Sequence, residues 1–411
     1  MHWEKFESNF KVPIKSWCND IEDGAMQQAI NLSKHPVVFH HVALMPDCHE
    51  GYGMPIGGVM ACSNAVIPNA VGVDIGCGMG AVQTDFPEDS LQKDMIRRIL
   101  NHLKKLIPVG EGHSHRSDQS WDGFEEYMDK YGDIDKSKLA PSWYSKKVWD
   151  LAKKNLGSLG GGNHFIEIQA GNDGFVWLMI HSGSRNLGYI IANHYNETAK
   201  KLNQKSNISL PSKDLAFLSA DSEEGVSYIR DMNFALNYAK ENRRHIMENF
   251  KTAFYNEISC NFVKEINIHH NYAALENHFG RNIWLHRKGA TSAKKGELGI
   301  IPGSMGTPSY IVEGLGNTES FMSCSHGSGR VMGRMDASRR LSKEECDKSM
   351  SGIVFDGWGK FKGFGKKKHK GGSLDLSEAP QAYKNIENVI QSEIDLIHPL
   401  VKLKPLGVVK G

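Results

Sequence analysis

The sequence predicts a mixed helix-and-strand fold in which short buried strands deliver polar residues into glycine turns. Apolar runs at residues 41–45, 70–73 and 176–180 each stop abruptly, at Pro46-Asp47, at Asp74 and at His181, which is the pattern of buried strands feeding turns. Glycine numbers 42 of 411 residues and is concentrated in a few clusters, above the usual share of about 7%. Residues 225–255 carry Tyr228, Met232, Ala235, Leu236, Ala239 and Ile246 along one helical face, the spacing of a packing helix.

Taken in order, a helix is expected from Pro87 to about Lys105, where Met95, Ile96, Ile99, Leu100 and Leu103 recur at helical spacing. Residues 111–150 are low in apolar content and read as a surface excursion. A glycine cluster at 156–164 then leads into a strand at 165–168. Segment 283–335 returns to strands and glycines, residues 382–400 read as a last helix, and 406–409 as a last strand. No repeat and no Pro/Ser linker marks a domain boundary, and the motifs run from residue 47 to residue 410, as expected of one site assembled by the whole chain.

Composition limits the function classes. With 49 Lys+Arg against 47 Asp+Glu the net charge is +2, so any phosphate binding must come from local arrangement and not from bulk charge. No run approaches the roughly 18 apolar residues of a membrane span, and the charged N-terminus argues against a signal peptide. Seven scattered cysteines, an odd number, argue against a disulfide framework and for a reducing cytoplasm.

Four constellations carry chemistry. Asp74 and Cys77 lie three residues apart in a glycine-rich turn; with His164, His181 and His269-His270 they offer the O, S and N donors of a transition-metal site. Donor softness alone favours zinc, with manganese or cobalt next, while the absence of a CxxC pair or an HExxH helix argues against a zinc ribbon or a zincin. Residues 300–309 are rich in small residues and hydroxyls and could cradle a phosphate, although a plain turn is the simpler reading. His326, between Ser325 and Gly327 with Arg330 and Arg334 downstream, could be a nucleophile toward phosphorus, a proton donor or a metal ligand. Residues 360–370 interleave lysines with Phe361 and Phe364, a pattern suited to single-stranded nucleic acid or to a solvated loop. If this run binds RNA, replacing its lysines by serine flattens the salt dependence.

In this order the motifs resemble the RtcB family of RNA-splicing ligases. The matching stretches are residues 45–53, 71–78, 161–167, 181–185, 270–271, 286–290, 301–310, 325–330, 378–380 and 409–411. The resemblance implies a single compact α+β domain over residues 1–411, with mixed sheets, peripheral helices and a deep central cleft for metal and GTP. It implies a monomeric cytoplasmic enzyme that joins RNA 3′-phosphate or 2′,3′-cyclic-phosphate ends to 5′-hydroxyl ends, with GTP as co-substrate and two Mn(II) ions.

Carried over residue by residue, the resemblance makes His326 the nucleophile that takes GMP, and Asp74, Cys77, His164, His181 and His270 the metal ligands. It sets the guanylate against Asn163, His164, Phe165, Ile166, Glu167, His270, Asn271, Pro302, Gly303, Ser304, Met305, Ser309, His326, Gly327, Ser328, Gly329, Tyr383 and Lys410. Glu167 can accept from the guanine N1–H and N2–H edge while Lys410 donates to O6, and Tyr383 offers a stacking face. Arg185, Arg330 and Arg334 are candidates for holding RNA phosphates, with Asp47 and His49 in a secondary role. The chain departs from the family pattern at Cys48, Ser328 and Gly333, none of them a metal ligand. Two other readings compete. A binuclear metallophosphoesterase would use Asp47-x-His49 with Gly162-Asn163-His164 but leaves Cys77, His326 and Lys410 idle, and a noncatalytic RNA-binding protein would not need the metal set.

Overall fold

Helix Glu223–Tyr255 is the longest element, and its start is written locally: Ser222 Oγ accepts from the Gly225 amide at 3.1 Å, and Glu223 and Glu224 occupy the first turn. Its buried face, with Ile246, Met247, Phe250 and Phe254, packs on Val82, Ile166, Leu178 and Ile180. Full burial of one such side chain is worth roughly 1.5–3 kcal/mol. The computed structural model describes residues 1–132, 141–359 and 374–411, so the basic run at 360–370 lies outside the described residues.

Two large sheets organise the protein. One has six strands, in the order Trp3–Lys5, Ile14–Ser16, Val38–His49, Ile56–Cys62, Arg281–Lys288 and Asn271–His278. The other has seven, in the order Phe262–His269, Gly78–Pro87, Phe175–Ser182, Phe165–Gly171, Ile397–Lys410, Ser309–Gly314 and Leu298–Ile301. The seven-stranded sheet is antiparallel throughout and mixes strands from residue 78 to residue 410. His270 stands where the chain leaves this sheet and enters the other. Register places His269 opposite Gly78, Gly78 opposite Ser182, His181 opposite Phe165, and Phe165 opposite Lys410. Two adjacent rows, stepping by one residue between Ser182 and His181, therefore bring sequence-distant site residues to the same sheet end.

The strands expected at 41–45, 165–168 and 176–180 are present as Val38–His49, Phe165–Gly171 and Phe175–Ser182, and the Pro87 helix as a short turn followed by Lys93–Leu106. Three expectations are corrected. Residues 70–73 are not a strand: Pro68–Val71 is a helical turn, started by Pro68 in its first turn and stopped by Gly72 at φ 96°. Only Ile386–Ser392 of the expected last helix is helical, and Ile397–Lys410 is a strand that pairs on both sides. Segment 111–150 is no mere surface excursion. Helices Asp122–Tyr131 and Lys146–Asn155, with the turn before the second, bury Phe124, Tyr127, Trp143 and Trp149 in a core with Tyr195 and Phe234, because a few large aromatics supply area that a count of apolar residues underrates. Helix Arg185–Lys205, directly after the His181 turn, was not anticipated. Among the described residues no helix is long and apolar enough to cross a membrane.

Candidate active site

The Cys77 Sγ, His164 Nε2 and His181 Nε2 atoms lie within 4.8 Å of one another, all on buried residues. Cys77 Sγ is 3.5 Å from His164 Nε2 and 3.2 Å from His181 Nε2. His164 Nδ1 faces the Leu159 carbonyl at 2.9 Å and His181 Nδ1 the Asn163 carbonyl at 3.1 Å. Each ring thus spends Nδ1 on a carbonyl and turns Nε2 to the cluster, the nitrogen that a metal takes once it carries no proton. Asp74 Oδ2 joins at 3.3 Å from His164 Nε2, and His270 Nε2 at 3.4 Å from His181 Nε2. His270 Nδ1 is buried without a hydrogen-bond partner among the described residues.

Electrostatics separates these groups by role. Burial, followed by the neighbouring histidines, drives His181 and His270 well below the usual imidazole range, so both are neutral. Burial opposes the Asp74 carboxylate, yet His164 and Arg185 outweigh it and hold the acid at about 2. Burial and then Asp74 push the Cys77 thiol well above its ordinary value, and a bound cation reverses that balance by taking the thiolate. Imidazole nitrogens, a carboxylate and a thiol around one point fit a divalent transition metal.

His326 borders this cluster, its ring centroid 4.9 Å from that of His270. Behind it Asp47, 0% exposed, accepts from the His326 ring Nδ1 at 2.5 Å and from its backbone amide at 3.1 Å. Gly57, at φ 81°, makes room for the carboxylate, since a Cβ there would stand 2.8 Å from Asp47 Oδ1. His49 Nδ1 folds back on the Asp47 carbonyl at 2.9 Å. The phosphoesterase pattern is thus dismembered: Asp47 serves His326 and stands apart from the Cys77, His164 and His181 group.

A cavity of about 240 Å³ opens in front of His326 and collects Asn163, Phe165, Glu167, His181, Pro302–Met305, His326–Gly329, Tyr383 and Lys410, together with His49, Arg330 and Arg334. Strand alternation puts Phe165 and Glu167 on the cavity side, whereas the Ile166 side chain is in the apolar core with Ile168. Ser309 sits one layer back, its Oγ accepting from the Gly303 amide at 3.2 Å. Asn271 is also behind the wall, bridging the Asp74 carbonyl at 3.1 Å and the Gly289 amide at 2.8 Å. Glu167 is 2% exposed, and its burial raises its pKa to about 8 despite Lys410 and Gln169.

The three arginines behave differently from one another. Arg185 lies on the metal side, its Nε donating to Ser158 Oγ at 3.2 Å. Arg330 Nη1 and Arg334 Nε both reach Glu378 Oε1, at 3.2 and 2.9 Å. Glu378 also holds Lys410 at 3.1 Å and accepts from Tyr383 Oη, so despite opposing burial its acid is held at about 2. Sequence reasoning gave this hub no role, although it lies in a matching stretch five residues before Tyr383. Asn242 and Arg243 were also missed. Their signal was two polar residues on the core face of a helix, between Ala239 and Ile246. Lys288 is anchored elsewhere, donating to the Tyr52 and Asn69 carbonyls.

The family model described as tRNA-splicing ligase RtcB matches residues 28–411. The RNA-splicing ligase RtcB of Escherichia coli K12 is 37% identical, covering 97% of this chain and 98% of its own. The tRNA-splicing ligases RtcB of Thermococcus kodakarensis and Pyrobaculum aerophilum are 30% and 29% identical, covering 100% and 98% of this chain and 98% and 95% of their own. Sharing a family model over nearly its whole length and a relative above 30% identity across both chains, the protein belongs to the RtcB family of tRNA-splicing ligases.

Proposed function

We propose that this protein is an RNA ligase of tRNA splicing or RNA repair, which seals an RNA 3′-phosphate or 2′,3′-cyclic-phosphate end to a 5′-hydroxyl end with GTP and Mn(II). The observation that carries the reading is His326 itself. Asp47 occupies its Nδ1, and its other nitrogen is left for a cavity that also contains Glu167 and Lys410.

In the first step the His326 Nε2 lone pair attacks the α-phosphorus of GTP, the bond to the β-phosphate oxygen breaks, and pyrophosphate leaves. Asp47 keeps the Nδ1 proton in place and stabilises the positive charge that develops on the ring. Glu167 and Lys410 orient the guanine within the cavity that residues 302–305 and 326–329 also line. Asp74, Cys77, His164, His181 and His270 would hold the Mn(II), two ions in this reading, which when bound withdraws charge from phosphate oxygens. A cyclic end is first opened by water; the RNA 3′-phosphate oxygen then takes GMP from His326, giving an RNA-(3′)pp(5′)G end. Finally the 5′-hydroxyl oxygen attacks the RNA-side phosphorus, the 3′–5′ phosphodiester forms, and GMP departs. Arg185, Arg330 and Arg334 are the cations proposed to meet RNA phosphates, and the enzyme is taken to act as a cytoplasmic monomer.

The test is incubation with α-labelled GTP and Mn(II), beside His326→Ala, followed by denaturing electrophoresis. A labelled band that is acid-labile, alkali-stable and lost in the variant is expected. No label from folded, metal-loaded protein would refute the mechanism.

A further inference from the structure

Arg243 is 0% exposed, on the helix Glu223–Tyr255 that backs the seven-stranded sheet. Its guanidinium fans out to three segments of chain. Nη1 donates to the Gly76 carbonyl at 2.7 Å and to the Ser182 carbonyl at 3.1 Å, while Nη2 meets His269 Nδ1 at 2.9 Å. Nε donates to Asn267 Oδ1 at 2.8 Å. Gly76, Ser182 and His269 are the immediate neighbours of Cys77, His181 and His270. One planar fork therefore grips the chain beside three of the five ligand candidates, each at the end of a different strand.

The surroundings are shaped for that grip. A Cβ at Gly78 would stand 3.0 Å from the guanidinium carbon and 2.0 Å from the Ile268 carbonyl, so only glycine lets the fork reach the strand ends. The preceding residue continues the same device: Asn242 accepts from the Gly157 amide at 2.7 Å and donates to Ser182 Oγ at 3.0 Å and the Gly183 carbonyl at 3.1 Å. It thereby ties the 157–162 turn, which precedes His164, to the same frame. None of the four acceptors of Arg243 is a carboxylate. A cation buried among carbonyls and an imidazole is costly, and an apolar side chain would fill the helix face more cheaply if packing were its whole purpose.

We propose that Arg243 is the positioning residue of the metal cluster, locking the strand ends that carry Cys77, His181 and His270 at ligating separation before an ion arrives. The inference rests on the metal reading given above. Lysine cannot reproduce it, because a single ammonium lacks the flat array of donors that spans four acceptors.

The test is titration of the full-length apoprotein with Co(II), following the ligand-field bands and the thiolate-to-cobalt band, with far-UV circular dichroism on every sample. Arg243→Lys and Arg243→Met are expected to bind Co(II) about 10–100-fold more weakly, the usual effect of losing an outer partner of a metal ligand, with a weakened thiolate band. Asn267→Ala, which removes the Nε partner together with a bond to the Lys240 carbonyl at a half-buried position, should give a smaller loss and keeps the test decisive if the Arg243 variants do not fold. Phe250→Leu, a packing change on the same helix, should lower thermal stability and leave the cobalt spectrum and affinity alone. Wild-type affinity in the folded Arg243 variants, an unchanged Asn267→Ala, or an equal loss in Phe250→Leu overturns the inference. A wild-type protein with no thiolate band that Cys77→Ala removes overturns the metal reading itself.

Discussion

Asp47 and His326 are 279 residues apart in sequence and joined twice in space, Asp47 Oδ2 accepting both the ring Nδ1–H and the backbone N–H of the histidine. The double bond fixes the ring orientation and the tautomer together, so that the remaining nitrogen carries a lone pair. Asp47→Asn should preserve the shape but favour the wrong tautomer, lowering the rate of protein guanylylation by about 10²–10⁴-fold. Single-turnover labelling with α-labelled GTP measures this, and a rate within threefold of wild type, about 0.65 kcal/mol, would contradict the orienting role.

Glu167 should make GTP binding release a proton. In the free protein burial raises its acid to about 8, so it is largely neutral at pH 7, whereas acceptance from guanine N1–H and N2–H needs the carboxylate. Affinity should therefore rise with pH, by at most about tenfold per unit, and level off above about 8. Calorimetry in buffers of different ionisation enthalpy should register the released proton, and Glu167→Gln should abolish the dependence. The same raised value implies that its contribution to folding is full below the ordinary 4.5 and lost as pH rises through about 8.

Glu378 has the opposite sign. Lys410, Arg334 and Arg330 hold its acid at about 2, so its stabilisation is present above the ordinary 4.5 and lost as pH falls through about 2. Glu378→Gln should cost about 2–3 kcal/mol at neutral pH, and the gap from wild type should close in acid. Urea denaturation at a series of pH values checks both parts.

Metal should stabilise the fold through the Cys77, His164 and His181 cluster. At a hundredfold excess over Kd, Mn(II) is expected to add about 2.7 kcal/mol to unfolding. Cys77→Ala and His181→Ala should each remove most of that gain, read as a Tm that no longer responds to Mn(II) or to chelator.

Asp231 anchors the aromatic segment that composition underrates. It accepts from Tyr127 Oη at 2.5 Å, Trp143 Nε1 at 2.7 Å and Tyr195 Oη at 2.5 Å, and pairs with Arg230. Asp231→Ala would strand these donors and should cost about 3–5 kcal/mol. A shift of the urea midpoint, with guanylylation retained at low temperature, is the expected outcome.

Much of the site was legible because ligand-type residues stand where apolar runs meet glycine, as at Asp74, His164, His181 and His326, and because their order matches one family over nearly the full length. Local pattern also determined the long helix and the strands that hold Phe165 and His181. It failed where partners are remote. Residues 397–410 form a strand only because strands at 165–171 and 309–314 flank them, and Tyr127 and Trp143 are buried with their polar atoms satisfied only because Asp231 lies about a hundred residues further on. The sequence by itself thus determined which donors exist and which short elements carry them, since both are properties of neighbouring residues. Tertiary structure alone decided that Asp47 serves His326, that Glu378 gathers Arg330, Arg334, Tyr383 and Lys410, and that Arg243 spans three strand ends. Those relations are set by strand register across two sheets and by the burial that makes each unpaired charge costly.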